Sequence, residues 1–241
     1  MDDVALVRML ERGQLAVYTT QQLAVMMKMK IAPATVRLNR LVKKGVLVRV
    51  IRGRYTLSSA DILATASGMY LPSYVSLLAA FEHYGTTTQS PRVIDVVNPL
   101  QSCQISLELE SGRFDVRFIK VNKLLMYGYN KIYRAGKATM IAEKEKAIID
   151  SLILSKYVPL DDIAACIRSD INHKKAIEYA CRTGRQSIMK RLGYLFSTEG
   201  IACSPDNFSI LSKTYVPLDP RHPRRGRYDQ KWRVIVNRVI E

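Results

Sequence analysis

Between Thr19 and Leu57 the chain places helix-start, helix-stop and turn signals at spacings that leave few folds open. Thr19-Thr20-Gln21-Gln22 has the form of a capping box, in which a Thr hydroxyl covers an orphan N–H and Gln22 reaches back. The helix it opens is expected over 20–28, followed by the turn Met29-Lys30-Ile31-Ala32. Pro33 sits where a first helical turn tolerates proline, and a second helix is expected to run to Gly45 as its C′ residue. Two β-prone runs, 46–50 and 55–57, then flank Ile51-Arg52-Gly53-Arg54, which reads as a hairpin turn. Helix, turn, helix and hairpin is the element order of a winged helix-turn-helix.

On the second of these helices, Ala34, Leu38, Leu41 and Val42 recur at the spacing that buries a stripe. The opposite side carries Val36, Asn39, Arg40 and Lys43, flanked by Thr35, Arg37 and Lys44. Asn and Arg pair bidentately with adenine and guanine edges in the major groove, and Val meets a thymine methyl. Arg37, Lys43 and Lys44 suit phosphates, which position a reader without specifying sequence. Arg52 and Arg54 at the hairpin tip suit a minor groove or its phosphates. These nine residues are the candidate DNA-binding set. Against them stands the plain reading of a solvated helix face, which the turn and hairpin argue against.

Charge is distributed to match. Residues 1–58 carry eleven Lys or Arg against three Asp or Glu, half of the chain's net charge of +16 in about a quarter of its length. Residues 221–241 carry seven against two, and the stretch between them is nearly balanced. A polyanion is the natural partner, nucleic acid before an anionic membrane, because neither basic segment has the bulky apolar anchors of an interfacial helix. No run is long and uncharged enough to span a bilayer, and Met1-Asp2-Asp3 opens no signal sequence, so a cytoplasmic protein is expected. Cys103, Cys166, Cys181 and Cys203 are scattered and read as reduced thiols; His83, His173 and His222 have no ligand spacing. Neither a metal nor a cofactor is expected.

Beyond residue 58 a short helix over 58–67 is expected, capped by Ser58 or Ser59 and broken at Gly68, then an apolar helix over 73–84. Strands follow over 92–98, 103–109 and 114–120, with a hairpin over 131–134 and 137–141. Helices are expected over 142–156, 159–167, 173–181 and 186–198, before a proline-rich tail that closes on a strand over 232–236. Strands grouped before helices make the class α+β rather than alternating α/β. The expected domains are a DNA-binding domain over 1–58 and an α+β domain over 59–241.

Within an expected helix, carboxylates gather at Glu143, Glu145 and Asp150. Glu143 and Asp150 share a helical face with Lys146 nearby, which leaves a nucleic-acid-processing enzyme as a competing reading. The plain alternative is acids favoured by a helix N-terminus, with surface ion pairs. Lys190-Arg191 reads as a solvated helix edge, and Arg224-Arg225-Gly226-Arg227 as either a basic loop or a phosphate- or partner-binding one.

In their order, several segments resemble the AbiEi antitoxin family. Gly45-Val46-Leu47-Val48-Arg49-Val50 with Arg52-Gly53-Arg54-Tyr55 is similar to the end of that family's winged module. Ser76-Leu77-Leu78-Ala79-Ala80-Phe81-Glu82-His83-Tyr84-Gly85 is similar to its Ser-x-x-Ser-Ala-Leu-x-x-His-Gly helix, with Leu-Leu replacing part of it. Glu143 to Asp150 resembles its Pro-Glu-Arg/Lys-Ala-Leu-x-Asp helix. Arg191-Leu192-Gly193-Tyr194-Leu195 with Gly200, then Trp232-Arg233-Val234 with Asn237, complete the likeness. The resemblance implies a transcriptional autorepressor that binds inverted repeats in its own promoter. It also implies an antitoxin that opposes a nucleotidyltransferase-like toxin, with an orphan regulator as the alternative.

Overall fold

The computed structural model describes residues 2–87 and 91–240, and its class is α+β. It divides into two compact units, the first made of residues 1–75, 92–126 and 130–141, the second of 76–91, 127–129 and 142–241. The first unit thus joins segments expected on both sides of residue 58.

The first unit opens with helix α1 (Asp3–Arg12), for which the signals at residue 19 and beyond give no hint. Asp2 caps it by accepting from the Ala5 N–H at 2.7 Å. Strand β1 (Tyr18–Thr19), helices α2 (Thr20–Met27) and α3 (Ile31–Lys43), and strands β2 (Leu47–Ile51) and β3 (Arg54–Leu57) follow. β1 and β2 both pair antiparallel with β3, with Tyr18 opposite Tyr55 and Val48 opposite Thr56. Leu6, Leu10, Leu23, Ala34, Leu38, Leu41, Leu47 and Tyr55 close one apolar core beneath these elements.

The remainder of the unit holds α4 (Ile62–Met69) and most of a six-stranded mixed sheet. The sheet comprises β4 (Tyr74–Val75), β5 (Val93–Asn98), β6 (Cys103–Leu109), β7 (Gly112–Lys120), β8 (Tyr129–Arg134) and β9 (Lys137–Ala142) in the order β6-β7-β5-β4-β9-β8. Three expectations change here. Asp61, not Ser58 or Ser59, caps α4, accepting from the Ala64 N–H at 2.9 Å, while the Ser58 hydroxyl donates to Glu110. The helix also runs through Gly68, whose missing side chain lets Val17 approach: a Cβ there would stand 3.2 Å from a Val17 methyl. The single helix expected over 73–84 is a strand followed by a helix. Tyr74 and Val75 pair with Val97 and Val96 on one side, and Val75 with Ile141 on the other.

Residues of the β8–β9 hairpin tie the preceding elements to this sheet. The Lys137 ammonium donates to the carbonyls of Leu10, Glu11 and Gly13 at 2.5, 2.9 and 2.6 Å, satisfying the end of α1 that its own chain leaves open. The Ala138 N–H donates to Gln14 O at 2.7 Å, and Arg134 pairs with Asp61 at 3.1 Å.

The second unit is helical: α5 (Leu77–His83), α6 (Lys144–Ile153), α7 (Leu160–Arg168), α8 (His173–Arg182) and α9 (Gln186–Thr198). A small sheet follows, with β10 (Val216–Pro217) parallel and β11 (Arg227–Asp229) antiparallel to β12 (Val234–Val236). α6 is buried along most of its length. Gly193 of α9 lies under the Trp232 ring, and any Cβ there would collide with it. Lys190 and Arg191 are interior, not a solvated edge. Their charged ends reach the tail, Lys190 donating to Thr214 O at 2.6 Å and Arg191 to Pro217 O at 2.9 Å.

Candidate nucleic-acid interface

The presentation of α3 starts from local chemistry on α2. Thr19 accepts from the Gln22 N–H at 3.2 Å and the Gln22 side chain accepts from the Thr19 N–H at 2.8 Å, closing the capping box. Lys28 then takes a left-handed conformation, φ 54°, and stops the helix. α3 begins at Ile31, two residues earlier than Pro33 suggests, so the proline is the third helical residue and still costs no internal hydrogen bond. Lys30, its N-cap residue, makes no side-chain capping bond, and Ile31, Ala32 and Pro33 of its first turn are exposed. The helix stops in a Schellman motif: the Val46 N–H donates to Leu41 O at 3.1 Å and the Gly45 N–H to Val42 O at 3.0 Å, with Gly45 at φ 72°.

Ala34, Leu38 and Leu41 face the core, while Val42 is only part-buried. Val36, Asn39, Arg40 and Lys43 fall together on the outer side, all exposed. Among the described residues, no hydrogen bond or ion pair engages the side chains of Asn39, Arg40 or Lys43. The nine candidates do not behave alike. The Thr35 hydroxyl is turned back on the helix, donating to Ile31 O at 2.8 Å. Arg37 is held by Asp3 of α1 through two N–H donors at 2.9 and 2.7 Å, and Lys44 stands 3.5 Å from the same carboxylate. The arginine fork beside Asp3 holds that carboxyl below the usual acidic range.

The hairpin tip is fixed from α2: Gly53 O accepts from the Thr20 N–H at 2.9 Å and from its hydroxyl at 3.2 Å. Gly53 takes φ 72°, a left-handed conformation that glycine adopts without steric cost, beside a register shift between Arg49 and Ile51. Arg52 is exposed there, whereas Arg54 points back, one guanidinium N–H donating to Gly68 O at 3.4 Å. The free set is therefore Val36, Asn39, Arg40, Lys43 and Arg52. Exposed Lys28 and Lys30 in the turn between the helices extend it; they escape a reading that looks only at helix faces.

The acidic cluster does not assemble into one site. Asp150 and Lys146 form a buried ion pair at 2.5 Å, with Ser76 donating to the other Asp150 oxygen at 2.9 Å and the ammonium 4.4 Å from the Tyr127 ring centroid. Glu143 instead accepts from the Tyr179 hydroxyl at 2.6 Å and pairs with Lys175 at 2.7 Å. Glu145 accepts from the Asn172 N–H at 2.7 Å. Burial first, and then the neighbouring glutamates, push the Tyr84 phenol up to about 12. Among the described residues, no group of three or more His, Cys, Asp or Glu is placed to hold a metal ion, and no helix is long and apolar enough to cross a membrane. Comparison of the chain with protein-family models and with curated protein sequences gives no match.

Proposed function

We propose that this chain is a winged-helix regulator that reads duplex DNA with α3 and grips it with the hairpin tip. The observation that carries the reading is the exposed row Val36, Asn39, Arg40 and Lys43, whose polar members have no protein partner among the described residues, beside the exposed Arg52. Asn39 and Arg40 read base edges; Lys43, Arg52, Lys28 and Lys30 meet phosphates. The uncapped N-terminus of α3 adds first-turn N–H groups and a positive dipole end for a further phosphate. Following the resemblance to AbiEi antitoxins, the regulated promoter is its own and the remainder of the chain opposes a nucleotidyltransferase-like toxin. The engagement of Glu143 and Asp150 with separate basic and hydroxyl partners argues against a shared catalytic role for these two carboxylates.

Gel-shift titration on the DNA upstream of its own gene tests the regulator, which requires salt-sensitive, sequence-selective binding. Co-expression with an adjacent nucleotidyltransferase-like gene tests the antitoxin. Growth rescue supports it, and a full-length chain that binds the promoter but rescues nothing is an orphan regulator.

A further inference from the structure

The basic tail carries aromatic rings as well as charge. Tyr215, just before β10, and Tyr228 on β11 meet edge to face, their centroids 5.0 Å apart and their planes at 73°. β12 brings them together: Val216 lies opposite Val234 and Tyr228 opposite Ile235. Arg233, in a left-handed conformation at φ 54°, holds its guanidinium 5.9 Å from the Tyr215 centroid, and Arg224 donates to Tyr215 O at 2.9 Å. Tyr228 remains 58% exposed, so its ring has a face for a partner.

The charges around this pair are unbalanced. Asp219 is buried among Arg221, His222 and Arg238, and Asp229 accepts from the Trp232 N–H at 2.8 Å. Among the described residues, the side chains of Lys213, Arg225 and Arg227 have no hydrogen-bond or ion-pair partner. A tyrosine ring with an exposed side, an arginine against its partner ring and unengaged cations close by in the chain answer to a ligand with alternating phosphates and planar bases. Duplex DNA hides its base faces, and an acidic peptide offers nothing to the ring. An unpaired strand offers both.

We infer that Tyr215, Tyr228 and the arginines of 224–233 form a binding site for single-stranded nucleic acid, one base stacking on Tyr228 and its flanking phosphates held by Arg225 and Arg227. This site is separate from the duplex-reading face on α3 and does not depend on it.

The test uses the full chain carrying Arg40→Ala and Lys43→Ala, which suppresses duplex reading, with fluorescent 12-nucleotide oligouridine and oligothymidine and a 12-base-pair duplex as probes. Both single strands should bind more tightly than the duplex, and a preference for oligouridine would identify RNA as the source. Tyr228→Ala should weaken single-strand binding about tenfold, the loss of one stacked base, while Tyr228→Phe retains it because stacking needs only the ring. Arg225→Gln with Arg227→Gln should lower affinity and flatten its salt dependence. Equal binding by Tyr228→Ala and the parent, or equal affinity for the duplex, would overturn the proposal and leave a purely electrostatic patch.

Discussion

Asp3 in the first turn of α1 accepts two hydrogen bonds from Arg37 of α3, at 2.9 and 2.7 Å, and so withdraws one of that helix's cations from its outer face. Lys44 shares the same carboxylate at 3.5 Å. Asp3→Asn should therefore raise affinity for duplex DNA of any sequence and steepen the salt dependence by about one to two units of logarithmic slope, one per cation released. Its effect on stability should be small, because the pair is only part-buried and water still screens it. What stability it does lend follows the carboxylate: with the folded pKa below 3.8, it is present above that pH and lost as pH falls through the folded value. Titration of a promoter and a scrambled fragment across salt concentrations checks the binding claim.

Asn39 and Arg40 should differ from Lys43 in kind. Arg40→Ala should cost about 1–3 kcal/mol at the base pair it contacts and relax specificity there. Lys43→Ala should weaken all sequences alike and reduce the salt slope by about one. If Arg40→Ala lost affinity equally for every sequence, Arg40 would be a phosphate contact.

The buried pair Lys146–Asp150, at 2.5 Å, should make single replacements costly. Asp150→Ala leaves an ammonium in the interior without its counter-charge, and Lys146→Met leaves a carboxylate. Each should destabilise by about 3–5 kcal/mol, and an apolar double replacement such as Lys146→Met with Asp150→Leu should recover much of the loss. Urea unfolding of the three variants measures this. Additive losses in the double variant would mean that the two charges do not stabilise one another.

Alkaline pH should unfold the second unit through its tyrosines. Tyr84 donates to Ala142 O at 3.0 Å and its phenol is pushed up to about 12; burial pushes Tyr127 up to about 12 as well. A raised folded pKa means that the stability these groups lend is complete below the unfolded value of 10.0 and is lost as pH rises toward 12. Tyr84→Phe should be less stable at pH 8, where the bond to Ala142 is missing, yet lose stability less steeply between pH 10 and 11.5. Urea midpoints measured across that range decide it, and parallel slopes would count against the assignment.

Much of the first 58 residues was legible in the chain because its signals act over a few residues. The Thr19–Gln22 capping box, Gly45 past the end of α3 and the Arg52-Gly53 turn each close a contact within one helical turn or one hairpin. The outward set Val36, Asn39, Arg40 and Lys43 follows from helical periodicity alone. So does α9, found over the expected 186–198. Strand β4 was not legible: two residues in an apolar run, Tyr74 and Val75, become a strand only because β5 and β9 stand on either side to accept their hydrogen bonds.

Tertiary structure also decided which cations are free, because a charged side chain's state depends on what the distant chain brings to it. Arg37 is engaged because Asp3 lies beside α3, and Arg54 turns back because Gly68 O lies within reach. Lys190 and Arg191 look like surface residues in the chain and are interior because Thr214 and Pro217 supply carbonyls there. Lys146 and Asp150 look like a helix-surface pair and are buried because Ser76 and Tyr127 complete their shell. Periodicity determines which way a side chain points from its own helix. Whether it meets water, a carbonyl or a counter-charge is set by segments tens of residues away, and that difference separates an anchor from a reader.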